Sequence, residues 1–134
     1  HIGNCMDHCK IFPKFVSMGY DSNDFLSSKV LQCDIKDVKK LRLVSNHIYS
    51  AIHLNNYIGY LISILADHLP NNYSEHIDIL KNIEPYLYNI VLSFWEDWLN
   101  VDITDSNHIT RTDFETINGF ILNIESWILN KSIY

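Results

Sequence analysis

The sequence predicts an all-α domain, and three observations carry that prediction. Apolar residues recur at three- and four-residue spacings through most of the chain, which places them on one face of a helix. The β-branched residues fall at the same spacings, and no segment carries a convincing hairpin signal. Only four glycines and three prolines occur in 134 residues, and Pro70 and Pro85 stand where helices would stop or start. The chain is 47% hydrophobic and 13% aromatic, enough apolar material to bury one core, so residues 1–134 are expected to form a single domain.

The elements follow in order. Residues 1–21 hold two apolar clusters, Ile11–Phe12 and Phe15–Val16, around Pro13, and then Gly19. A cap signal at Ser22-Asn23-Asp24 opens a short helix, "DFLSSKVLQC". Asp34 can cap the next element, read as one long helical stretch over 35–69, bent at "VSNH" (44–47) or "LNNYIG" (54–59). Pro70-Asn71-Asn72 breaks it. Ser74 is the N-cap of the helix in "YSEHIDILKN". Proline suits a first helical turn, so Pro85 marks a fresh helix that starts near Glu84 and ends near Asn100. After the polar stretch "VDITDSNHITR", Thr112 and Glu115 form a capping box for a last helix over 113–131.

The last two helices carry more apolar surface than one core contact needs. In 86–99, Leu87, Ile90, Val91, Phe94 and Trp98 make one stripe, and Tyr88, Leu92, Trp95 and Leu99 make a second. Asn89, Ser93, Glu96, Asp97 and Asn100 are left for water. In the last helix, Phe114, Ile117, Phe120, Ile121, Ile124 and Ile128 form the main stripe, with Leu122 and Leu129 well away from it. Spare apolar faces on neighbouring helices predict a homodimer built as a four-helix bundle, with Tyr88, Leu92, Trp95, Leu99, Leu122 and Leu129 at the interface. The stretch 35–69 has a stripe of its own: Leu41, Val44, Ile48, Ile52, Asn55, Gly59 and Ile62. Gly59 would permit close helix approach there, and Asn55 would need a polar partner.

Charge and motif content narrow the function. Sixteen acidic against ten basic residues speak against general nucleic-acid or anionic-membrane binding. No apolar run reaches the length of a membrane span, and no signal-peptide pattern opens the sequence, so a cytoplasmic protein is expected. Cys5, Cys9 and Cys33 are odd in number and lack a second pair at metal spacing, so they read as free thiols and no structural metal is expected. No phosphate loop, zinc-protease motif or nucleophile elbow is present, and Glu96-Asp97 lies on the wet side of its helix. These features predict a non-enzymatic domain that senses or binds.

"IEPYLYNIVLSFW" (83–95), followed by Ile117-x-x-Phe120-x-x-x-Ile124-x-x-x-Ile128, resembles the last two helices of globin-like sensor domains. The resemblance covers roughly residues 74–131. It is nearest to the non-heme domains of Bacillus stressosome regulators and sporulation sensor histidine kinases, and to stand-alone inhibitory copies of them. It implies a globin-like fold, a dimer through the last two helices, and a fatty-acid-like ligand in an internal pocket. The pocket would be lined by Ile48, Ile52, Asn55, Leu87, Ile90, Val91, Phe94 and Trp98. It implies a partner as well, a sensor histidine kinase whose signal the domain titrates. Heme needs an axial histidine. His76 is the candidate, but its register before Glu84 differs from heme-binding members, so a heme gas or redox sensor is the alternative. His47, His53 and His68 are further candidates. A third reading is a viral Bcl-2-like inhibitor with a surface groove for an amphipathic helix.

Overall fold

The domain is all-α, with five described helices. The computed structural model describes residues 6, 13–14, 16–20, 34–45, 48–67, 71–101 and 113–131. Helix α1 is Ile35–Lys39, α2 is Ala51–Ala66, α3 is Ser74–Ile83, α4 is Pro85–Leu99 and α5 is Asp113–Lys131. The predicted helix at 24–33, the Thr112 half of the capping box, the three cysteines, His47 and His68 lie outside the described residues. Upstream, helical backbone at 13–14 and 16–17 closes on Gly19, whose φ of 89° is the left-handed geometry that glycine adopts without a Cβ penalty.

The long helix expected over 35–69 is not continuous. Asp34 caps α1 as predicted, its carboxylate accepting from the Lys36 N–H at 2.9 Å, but α1 ends after five residues. Val44–Ser45 (β1) then pairs antiparallel with Ile48–Tyr49 (β2), with Val44 opposite Tyr49 and Ser45 opposite Ile48. The Ser50 N–H donates to the Leu43 carbonyl at 2.9 Å and extends the pairing by one step. This hairpin falls at the predicted "VSNH" bend and is a turn the sequence reading did not recognise. The other bend, at 54–59, is absent, because α2 runs unbroken through it.

The hairpin shifts the buried face of α2, although Gly59 and Ile62 of the stripe predicted there are buried. The buried face of α2 is Leu54, Tyr57, Ile58, Leu61 and Ile62, whereas Ile52 is 73% exposed and Asn55 faces solvent. Ser50 starts α2, its hydroxyl accepting from the His53 N–H at 3.4 Å. Ser50→Ala should lower stability by about 1 kcal/mol, the usual worth of an N-cap, measured by urea unfolding. The start of α3 differs by one position from expectation. Tyr73 occupies the N-cap but its hydroxyl donates to the Asp67 carboxylate at 2.6 Å instead of capping the helix, and the Asn72 side chain accepts from the Ser74 N–H at 3.0 Å.

Glu84 joins α3 to α4 in a single extended residue. It closes α3 by donating its N–H to the Leu80 carbonyl at 3.3 Å, and Pro85 begins α4 as predicted. The Tyr57 hydroxyl reaches this joint from α2, 2.7 Å from the Leu80 carbonyl and 3.2 Å from that of Glu84. On the other side, Lys131 at the end of α5 donates to the Glu84 carboxylate at 3.1 Å. That bond holds the Lys131 proton above the usual lysine range.

Tyr57 is fully buried, and burial, reinforced by the Glu84 charge, pushes its ionisation well above the normal range. An unfolded tyrosine ionises near pH 10, so above about that pH the unfolded chain releases a proton that the folded chain retains. Stability therefore falls as pH rises past that point. Tyr57→Phe should cost about 1–2 kcal/mol at neutral pH and flatten the alkaline decline, read by denaturant melts between neutral and alkaline pH.

The core gathers these elements around α4. Leu87, Val91, Phe94 and Trp98 of α4 pack with Leu61 and Ile62 of α2, Leu80 of α3 and Val38 of α1. The Trp98 indole N–H donates to the Met6 carbonyl at 3.2 Å, which ties the N-terminal region to this centre. Helix α5 lies along α4, with Phe120 stacked on Phe94 (centroids 4.2 Å apart), and Trp127 meets the Tyr49 ring edge-on at 5.0 Å.

Candidate functional site

Helix α4 divides into three sides. One is the core stripe, as read from the sequence. The second stripe is also largely internal: Tyr88 and Trp95 are buried, with Trp95 only 4% exposed, and Leu92 is half-buried. Their own chain covers them, so they offer little area to a second chain. Leu99 alone of that stripe on α4 is exposed. The polar third side, with Asn89, Ser93 and Asp97 one turn apart, is the face predicted for water.

Helix α5 also has three sides, and two of them reach the surface. Its inner side places Phe120, Ile124, Trp127 and Ile128 against the core, but only Trp127 is buried. The outer side is apolar and exposed: Phe114 is 71% exposed, Leu122 63% and Leu129 65%, with Ile121 and Ile117 beside them. Part of the predicted main stripe therefore lies open along with the outlying leucines. The remaining flank is polar, with Gly119, Asn123, Ser126 and Asn130 in one row.

That flank and the polar side of α4 form the two walls of an open groove of about 690 Å³. Asn89 and Ser93 stand on one wall and Asn123, Ser126 and Asn130 on the other, over Ile90 and Trp127. Tyr86 and Lys131 close one end, with the Lys131 ammonium 5.9 Å from the Tyr86 ring centroid. Ser93 and Asn123 also line a smaller recess of about 130 Å³ that continues to Asp97, Glu115 and Gly119. The groove was not foreseen. Its signal was present as polar residues recurring each turn on both helices, a pattern that otherwise reads as a solvated face.

The pocket implied by the family resemblance does not assemble from its residues. Leu87, Val91, Phe94 and Trp98 are packed into the core, and Ile90 is half-buried beside the open groove. Ile52 and Asn55 face outward from α2, so these two do not meet the α4 stripe, and the Ile48 side chain lies outside the described set. Asn55 needs no buried partner because solvent reaches it. His76 sits half-buried on α3 with its ring edge-on to Tyr73 at 5.3 Å, and His53 is on α2. Among the described residues no three metal-binding side chains gather, and no helix is long and apolar enough to cross a membrane. No known family, curated protein or solved structure matches this chain.

Proposed function

We propose that this chain is a non-enzymatic helical association module that pairs with a second copy of itself through the outer side of α5. The observation that carries the reading is the exposed row of Phe114, Ile121, Leu122 and Leu129 on one helix. The apolar side chains along it present on the order of 400–500 Å², the size of the largest apolar patch on a typical monomer, which is often functional.

The spacing of this row favours a second copy as its occupant. Leu122 is the midpoint of α5, with Phe114 eight residues before it and Leu129 seven after. An antiparallel pair about a two-fold axis at Leu122 therefore sets Phe114 beside the partner's Leu129, and the reverse. The same arrangement sets the two helix dipoles antiparallel. The apolar area is below the roughly 800 Å² per partner of a standard interface, which suits a reversible dimer with a dissociation constant of about micromolar order.

This reading keeps the dimer expected from the sequence but moves its centre from α4 to α5. Of the residues first assigned to the interface, Leu122 and Leu129 remain, while Tyr88, Leu92 and Trp95 belong to the fold. A globin-like arrangement draws support from α5 lying along α4, and loses it where the β1–β2 hairpin interrupts the helix preceding Pro70. An internal ligand, a heme or a kinase partner draws no support from the placement of the residues assigned to them. Sedimentation equilibrium from about 1 to 100 µM tests the proposal. A monomer–dimer equilibrium weakened by Leu122→Glu supports it, and a monomer throughout that range removes it.

A further inference from the structure

We infer that the groove between α4 and α5 is a receptor for a short extended peptide segment with a basic side chain at the Asp97–Glu115 end. This site lies on the flank of α5 away from the proposed dimer face, so the two proposals stand or fall separately.

Four observations lead there. First, the walls carry side-chain amides and hydroxyls rather than charges or bare aliphatics. Each carboxamide both donates and accepts, as a peptide bond does. An amide or a hydroxyl recurs at each turn, roughly 5–6 Å apart, close to the two-residue repeat of about 6.7 Å in an extended chain. Second, the ends differ in sign, with Lys131 at one and Asp97 and Glu115 at the other. Lys131 already serves the Glu84 carboxylate, whereas the acidic pair faces the recess and suits a lysine or arginine.

Third, Gly119 sits in the wall of that recess in mid-helix, where glycine costs roughly 0.5–1 kcal/mol relative to alanine. Its φ is not positive, and a Cβ placed on it would meet nothing within 4 Å. Neither backbone strain nor close packing requires it, and the absence of a side chain leaves the recess clear. Fourth, Trp127 lines the groove, is only 7% exposed, and its indole N–H has no hydrogen-bond partner. That N–H is itself shielded from solvent, so Trp127 and Ile90 serve as the apolar floor beneath the two polar walls.

Size and shape select the ligand class. From Tyr86 to Asp97 the groove follows about three turns of α4, roughly 16 Å, which an extended segment of about five residues spans.

The test uses the full chain and acetylated, amidated pentapeptide mixtures with arginine fixed at one terminus, and matched mixtures with glutamate there. Arginine mixtures should shift the side-chain amide resonances of Asn89, Asn123 and Asn130 in proton–nitrogen spectra, and glutamate mixtures should not. Gly119→Gln, which fills the recess, and Asn123→Ala, on an exposed position, should each weaken binding about tenfold in fluorescence polarisation. Asp97→Lys with Glu115→Lys should reverse the preference toward glutamate, while Leu122→Glu should leave affinity unchanged. If Gly119→Gln loses its helical signal, Asn123→Ala carries the test. Silence of every mixture at about 1 mM overturns the inference. So does equal binding of both charge types, or unchanged affinity in the variants. Shifts produced by an oligosaccharide and not by peptides would replace it with a carbohydrate site.

Discussion

Trp98→Ala lowers the free energy of unfolding by about 3–5 kcal/mol, the range for removing a buried tryptophan. A domain of this size has about twice that in total, so the variant populates unfolded chain near physiological temperature. The expectation rests on position. Trp98 lies 4% exposed at the centre of the core, tilted against Phe94 with centroids 6.5 Å apart. It alone among the three tryptophans has a described bond to the N-terminal region, through the Met6 carbonyl. Trp98→Phe keeps most of the ring volume and loses that bond, so it should cost less, about 1–2 kcal/mol. Urea unfolding of both variants separates packing from hydrogen bonding. An alanine variant within 1 kcal/mol of the parent would mean that the core collapses round the gap.

Leu122→Glu combined with Leu129→Glu moves the chain to monomer at concentrations where the parent is dimeric, raising the dimer dissociation constant by about 100-fold or more. Two-fold symmetry doubles each lesion, because both charges appear on both sides of the interface. Both positions are already more than half exposed, so the folded monomer should keep its melting temperature within a few degrees. That separation is the informative part. Loss of dimer with an unchanged monomer locates the contact on the outer side of α5, and loss of both signals together would place these leucines in the fold. Trp95→Glu is the wrong probe for this purpose, because it buries an unpaired charge in the core.

Much of the fold was legible from local chemistry. Pro85, the spacing of Leu87, Val91, Phe94 and Trp98, and the Asp34 cap each mark their elements because each acts within one or two helical turns. The hairpin was not legible, for a physical reason. Two-residue strands are too short to show alternation, and Val44 and Ile48 also satisfy the i, i+4 spacing of a helix. A distant contact accompanies the strand reading: Tyr49 packs on Trp127, which no local window contains. The same limit governs the surface. Periodicity gives the direction in which Trp95 and Leu122 point along their helices, yet it is blind to what stands opposite. Trp95 meets its own core and Leu122 meets solvent. The groove was missed because asparagines and serines on a helix read as hydration until a second helix sets another such row across from them.

The single-residue joint at Glu84 bears on how this chain can change length over evolution. Its carbonyl serves Tyr57, its carboxylate serves Lys131, and its N–H ends α3. Each further residue inserted into a helix turns all that follows by about 100°. One lost residue here would set Trp98 where Asp97 stands, on the groove wall, and Asn89 where buried Tyr88 stands. One added residue would carry Trp98 to the exposed position of Leu99, and either change parts three anchors at once. Insertions and deletions are thus expected to be purged at this position. The joint acts as the reading frame of the fold, a fixed origin from which the faces of α4 are counted.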